Sequence, residues 1–116
     1  MQYGLSEEQE MIARTVQSFV EKEIYPHEAL VERTGEVPNE IAQEIKKKTL
    51  DLGFYACNFP ESVGCAGLNH MDFALVEREL GRGSMALNHF FGRPQNRLMA
   101  CEDEQIERYL RPAIRG

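Results

Sequence analysis

Residues 53–82 read GFYACNFPESVGCAGLNHMDFALVERELGR, and the arrangement of the whole chain turns on them. The first half is a turn-rich loop. The second half is a nearly all-apolar helix. Pro60, Gly64 and Gly67 punctuate the loop. Glycine takes positive φ without a Cβ clash, so Gly64 and Gly67 suit tight reversals. Asn69 is placed to cap the helix by accepting a backbone N–H near its start. Met71, Phe73, Ala74, Leu75, Val76 and Leu80 then occupy most faces of that helix. A helix that is apolar nearly all round is a central one. The segment Asn69–Gly81 is therefore expected to be the most buried element, with Phe73 and Leu80 deep in the core.

The flanks on either side read as helices. Ser6-Glu7-Glu8-Gln9 is a capping-box signal, and Ile12, Val16, Phe19, Val20 and Ile24 follow at helical spacing. Pro26 is expected to close or kink this first helix. His27 to Arg33 reads as a short second helix stopped at Thr34-Gly35. Pro38 suits the first turn of a third helix. Its stripe is Ile41, Ile45, Thr49 and Leu52, and Gly53 fits a left-handed end. Beyond Arg82, Ser84 is the natural cap of a helix carrying Met85, Leu87, Phe90 and Phe91, broken near Pro94. Glu102, Asp103 and Glu104 open a last helix with Ile106, Tyr109 and Leu110 inward and Pro112 near its end. No strand-type alternation of useful length is present. These segments predict an all-α domain, a compact bundle of five or six helices, as a single domain over residues 1–116.

Composition narrows the function classes. With 42% hydrophobic and 28% charged residues, the chain falls in the soluble globular class. A net charge of −6 argues against nucleic acid as a partner, since that binding relies on clustered Lys and Arg. The run Lys46-Lys47-Lys48 is flanked by Glu44 and Asp51 and reads as a solvated helix face. Nothing approaches the roughly 20 apolar residues of a membrane span. Acidic residues begin at Glu7, so no signal-peptide pattern is seen. Cys57, Cys65 and Cys101 form no C-x-x-C pair, and an odd count suggests free thiols in the cytoplasm or another reducing compartment. His27, His70 and His89 are scattered, so no metal site is expected. Residues 53–116 carry seven bases, all of them Arg, which hints that the second half faces something.

Little in the chain reads as reaction chemistry. Gly64-x-x-Gly67 lacks the Lys and Ser/Thr of a phosphate loop and follows no strand, so it reads as a turn. No Ser-His-Asp or Cys-His set sits in a nucleophile context. Glu77 and Glu79 point to opposite helix faces and do not act jointly. No catalytic residue is assigned.

The run LGF…FPESVGCAGL…ALVERELGR resembles the N-terminal helical domain of the flavin-dependent acyl-CoA dehydrogenases. Leu52-Gly53-Phe54, Pro60-Glu61, Gly64-Cys65-Ala66-Gly67-Leu68 and Glu79-Leu80-Gly81-Arg82 carry the likeness. Cys65 stands where a second glycine is usual, and Leu80 where a second Glu is common. The opening LSEEQEMIARTVQSFVEKEI and the close DEQIERYLRPAIRG match as well, so the resemblance spans essentially the whole chain. It implies an oxidoreductase that dehydrogenates acyl-CoA thioesters with FAD. It also implies that the flavin-binding β-domain and the C-terminal bundle with its catalytic base lie outside these residues. The isolated chain is then expected to be inactive and free of FAD. Its partners are expected to be acyl-CoA, the missing domains and further copies of itself. By position, Ser84, Met85, Asn88 and Phe91 are the candidates to wall the acyl pocket. Asn88 and His89, polar within an apolar helix, need partners if buried. A chain lacking its neighbours should also self-associate, here through the loop Asn58–Leu68 and the face of Met85, Asn88 and Phe91. The alternative is a stand-alone helical binding or dimerisation module without flavin.

Overall fold

A computed structural model describes residues 4–116, so residues 1–3 of the expected single domain lie outside the described residues. The Ser6 hydroxyl accepts from the Gln9 N–H, and the Gln9 side chain accepts from the Ser6 N–H, each at 3.1 Å. This complete capping box satisfies two orphan donors and opens α1, Glu7–Phe19. The helix does not stop at Pro26. It widens into a π-helical turn, Val20–Ile24, and continues as α2, Tyr25–Thr34. A proline ring clashes with the carbonyl four residues earlier, here that of Lys22. The wider π turn makes room for the ring. The same solution recurs near the C-terminus, where the π turn Ile106–Leu110 precedes a final short helix containing Pro112.

The other helices follow their sequence signals closely. Helix α3 spans Asn39–Leu52 and ends on Gly53 at φ 79. There the Phe54 N–H reaches back to the Thr49 carbonyl at 3.2 Å, as a left-handed helix end requires. Helix α4 spans His70–Leu80, and the Asn69 side chain accepts from the Asp72 N–H at 2.8 Å. Helix α5 is a single turn, Met85–Asn88, continued by a 3-10 turn, His89–Phe91. A second 3-10 segment covers Asn96–Ala100, and the closing helix is α6, Arg111–Arg115. No strand occurs among the described residues, so the all-α expectation holds.

The helices form a slab of 45 × 44 × 21 Å. Its thickness is about two helix diameters, and its radius of gyration of 15.2 Å exceeds the roughly 13 Å of a sphere-like domain of this length. Helix α1 lies along α4, tied by Gln9 Nε2 donating to Asp72 Oδ1 at 3.1 Å. Helix α2 and the first π turn meet α5, and α3 packs against the 3-10 turn His89–Phe91. Val16, Phe19, Val20 and Ile24 form the spine of the core, joined by Ile45, Cys57, Val76, Leu80, Leu87 and Phe91. In a layer two helices thick every helix keeps an open face, so none is surrounded. That corrects the expectation for α4. It buries only Leu75, Val76, Glu79 and Leu80; Leu80 is deep as expected, but Phe73 is half-buried and Met71 is exposed. Tyr109 is likewise exposed rather than inward, with the Arg108 guanidinium 5.6 Å from its ring centre.

The loop before α4 is part of the core. Ala56, Cys57 and Phe59 are fully buried. The N–H groups of Gly64, Cys65, Gly67 and Leu68 donate to the carbonyls of Glu61, Pro60, Phe59 and Cys57 at 2.8–3.3 Å. A loop with most of its amides closed on its own carbonyls offers a phosphate little of the cradle it needs. The turn-forming reading of Gly64 and Gly67 therefore stands. Burial pushes the Cys57 thiol up to about 11. At mildly alkaline pH a disulfide-exchange reagent should therefore label the partly exposed Cys65 and Cys101 in the native chain, and Cys57 only after denaturation. Three thiols reacting at one rate in the native chain would contradict this packing.

Candidate functional site

Helix α5 stands on a sharp turn after α4. The Ser84 N–H donates to the Glu28 carboxylate at 2.9 Å, which ties the start of α5 to α2. Ser84 holds the cap position, but its hydroxyl makes no capping bond. Asn88, 7% exposed, is satisfied within the chain. Its Nδ2 donates to the Leu80 carbonyl at 2.9 Å, and Arg93 donates to its Oδ1 at 3.3 Å. Arg93 also grips both oxygens of Glu77 at 2.8 Å. Both bonds to Glu77 come from Nη1, while Nη2 serves Asn88, so one guanidinium ties the two side chains together through charge-assisted bonds. The partner expected for a buried Asn88 is thus supplied by α4 and Arg93, while His89 is exposed and needs none.

Beside this network runs a groove of about 620 Å³, lined by Glu36 and Val37 from one side and Met85, Asn88, His89 and Phe90 from the other. Met85 is 83% exposed at its edge. The His89 and Phe90 rings meet edge to face at 5.4 Å. Met85 and Asn88 therefore share one surface. Phe91 does not join them. It is fully buried, edge to face with Phe19 at 5.3 Å and tilted on Phe54 at 6.2 Å. Helix α5 ends after one turn, and the tighter 3-10 turn carries Phe91 to the opposite side from Phe90. The expected face of Met85, Asn88 and Phe91 is therefore not continuous.

The groove suits an apolar group. Glu36, His89 and Arg93 give it polar points as well, and among the described residues no group of three or more His, Cys, Asp or Glu could hold a metal. The most buried charge nearby is Glu79, 3% exposed. Arg78 donates to its Oε1 at 3.1 Å, and Arg82 Nε lies 2.9 Å from Oε2 without hydrogen-bond alignment. Glu77 and Glu79 serve different arginines, so they do not act jointly, as their spacing implied. Four of the arginines of the second half, Arg78, Arg82, Arg93 and Arg111, are thus paired within the chain rather than turned to a partner. Sequence reasoning missed Arg93 as the organiser of this region. Its signal was its place next to Pro94, which frees the segment from any helix.

A larger cleft of about 950 Å³ lies away from these residues, between the outer faces of α1 and α3. Its walls are mostly charged. No helix among the described residues is long and apolar enough to cross a membrane.

Comparison with known proteins agrees with the resemblance of the sequence. The family described as "Acyl-CoA dehydrogenase, N-terminal domain" matches residues 6–116. A 3-(aryl)acrylate reductase of Clostridium sporogenes is 32% identical over 96% of this chain and 30% of its own length. The CarC subunit of the caffeyl-CoA reductase-Etf complex of Acetobacterium woodii is 34% identical over the same shares. A mitochondrial isovaleryl-CoA dehydrogenase of Pongo abelii is 31% identical over 97% of this chain and 27% of its own length. No match was found among solved structures. The chain spans under a third of the length of these relatives. With the match running from Ser6 to the last residue, the chain belongs to the acyl-CoA dehydrogenase family, in its N-terminal domain.

Proposed function

We propose that this chain is one wall of the acyl pocket in an acyl-CoA dehydrogenase-like flavoprotein, and that its remaining faces make inter-domain contacts. The observation that supports this reading is the open groove beside Met85, lined by the His89–Phe90 pair, with the Asn88–Arg93–Glu77 network holding α5 in place. Such a surface can hold an acyl chain and exclude water from one side of it. Ser84 and Phe91 act behind it, Ser84 by anchoring the turn and Phe91 by fixing α5 on the core. FAD and the catalytic base come from other parts of the full-length protein. Consistent with that division, the glycine loop is drawn in on itself, with the amides of Gly64, Cys65, Gly67 and Leu68 on its own carbonyls rather than turned outward to a pyrophosphate. The names of the relatives include reductases as well as dehydrogenases. A single wall of the pocket does not decide the direction of the reaction.

One experiment tests both halves of the proposal. The chain is labelled at its methionine methyls, mixed with FAD and then titrated with acyl-CoA. The expected result is a selective shift of the Met85 methyl, no flavin retained through gel filtration and no reduction of an added dye. A stoichiometric yellow flavin complex would overturn the assignment of FAD to other domains. Shifts at Met11 or Met71 instead of Met85 would overturn the assignment of the wall.

A further inference from the structure

The groove beside Met85 is carried by a helix of four residues, too short to hold its shape by itself. Its start is fixed from another element. The Ser84 hydroxyl makes no capping bond, and the Ser84 N–H goes to the Glu28 carboxylate of α2 at 2.9 Å. The Ser84 carbonyl in turn accepts from the Asn88 N–H at 2.8 Å. The Asn88 side chain is the one held by the Leu80 carbonyl and by Arg93. One line of bonds therefore runs from Glu28 through the Ser84 peptide to residues that line the groove. The packing beneath this line is close. A Cβ on Gly83 would lie 2.7 Å from Ile24 Cγ2 and 3.4 Å from Val20 Cγ1, so glycine is what lets the turn into α5 rest on the π turn.

The π turn also decides which way Glu28 faces. An α-helix turns about 100° per residue. Counted on from Phe19 in unbroken α-helix, Glu28 would stand about 180° round the axis and Val31 about 120°, both clear of the core side. In the π turn the Tyr25 N–H bonds to the Val20 carbonyl, five residues back rather than four. One extra residue is taken up there, and everything beyond it turns back by about 100°. Glu28 then stands about 80° from Phe19 and Val31 about 20°, within the sector bounded by Phe19 and Val20. Val31 is buried in the core cluster, and Glu28 is half-buried with its carboxylate on Ser84, as this rotation requires. We infer, resting on the acyl-wall reading, that Glu28 is a positioning residue of the groove: turned inward by the π turn, its carboxylate holds the start of α5 and through it the groove residues.

The 116-residue chain and its Glu28→Ala and Glu28→Gln variants are compared by amide hydrogen exchange, first free and then with butyryl-CoA and octanoyl-CoA. In free Glu28→Ala the Ser84 and Asn88 amides should exchange about tenfold faster, the effect of losing a charge-assisted bond. The amides of Val16 in α1 and Val76 in α4 should keep the parent's rates. Acyl-CoA affinity, followed at the Met85 methyl, should fall by about tenfold as the binding-competent position of α5 becomes a minor one. Glu28→Gln keeps an oxygen that can accept the Ser84 N–H, so it should regain most of both losses. Unchanged exchange at Ser84 and Asn88 in Glu28→Ala overturns the inference. So does an equal rise at Val16 and Val76, which marks a loss of overall stability alone. Glu28→Gln behaving like Glu28→Ala, or acyl-CoA held as tightly by Glu28→Ala as by the parent, overturns it as well. A parent chain that binds neither thioester overturns the wall reading instead, and the exchange rates of the free chain then decide on Glu28 by themselves.

Discussion

Gly92→Ala should destabilise the native chain by about 3–5 kcal/mol, the sum of an overpacked contact and a disfavoured backbone. Gly92 sits at φ 85, ψ 89, where an L side chain is strained, and a Cβ there would lie 2.0 Å from the Tyr55 ring. Backing away is costly, because the Gly92 carbonyl accepts from the Ala56 N–H at 2.8 Å and so holds the two loops together. The neighbouring residues are fixed too. Phe91 is fully buried, and Asn58 Nδ2 donates to the Pro94 carbonyl at 2.9 Å. Chemical denaturation of the single variant and of Tyr55→Ala/Gly92→Ala separates the two causes. If the ring clash dominates, the second change should recover part of the loss, because the obstacle is gone. If φ dominates, the double variant should be no more stable than the single one. A Gly92→Ala protein within about 1 kcal/mol of the parent would mean that the two loops do not meet as described.

Local signals were readable because they are satisfied locally. The Ser6–Gln9 box, the Asn69 cap and the left-handed ends at Gly35 and Gly53 each need only a few neighbouring residues, and all were legible. Pro26 was misread for a reason that is also local but less familiar. Pro26 was expected to close or kink its helix, yet a π turn before it lets the helix run through, and another stands before Pro112, which lies near the end of the last helix as expected. Burial was harder, because it depends on which faces of the slab are open. Phe73 and Phe91 are alike as sequence, apolar and at helical spacing. Only the packing of Phe19 and Phe54 against Phe91 tells them apart. The candidate groove was half legible. Met85 and Asn88 were named by position, but the ties from Asn88 to Arg93 and from Arg93 to Glu77 span 5 and 16 residues and leave no periodic trace.

The contrast between the two phenylalanines is the second large effect. Phe91→Ala should lower stability by about 3–5 kcal/mol, from lost transfer energy plus a cavity in a tightly packed site. Phe91 is 0% exposed and shares edge-to-face contact with Phe19, itself 4% exposed. Neither α1 nor α3 can close the gap easily. The Phe19 side of it is backed by Val16 and Val20, both 1% exposed. On the other side Phe54 is held by the end of α3 through its N–H to Thr49. Phe73→Ala, by contrast, should lose less than about 2 kcal/mol, since a half-buried ring leaves less apolar area to re-expose and water can fill its place. Matched thermal and denaturant melts of the two variants make the comparison, with the m-value checking that both unfold the same structure. The sequence pattern alone ranks them the other way, with Phe73 in the central helix as the greater loss. Equal losses, or a larger loss at Phe73, would show α4 surrounded on all sides and would remove the two-layer slab as the account of this fold.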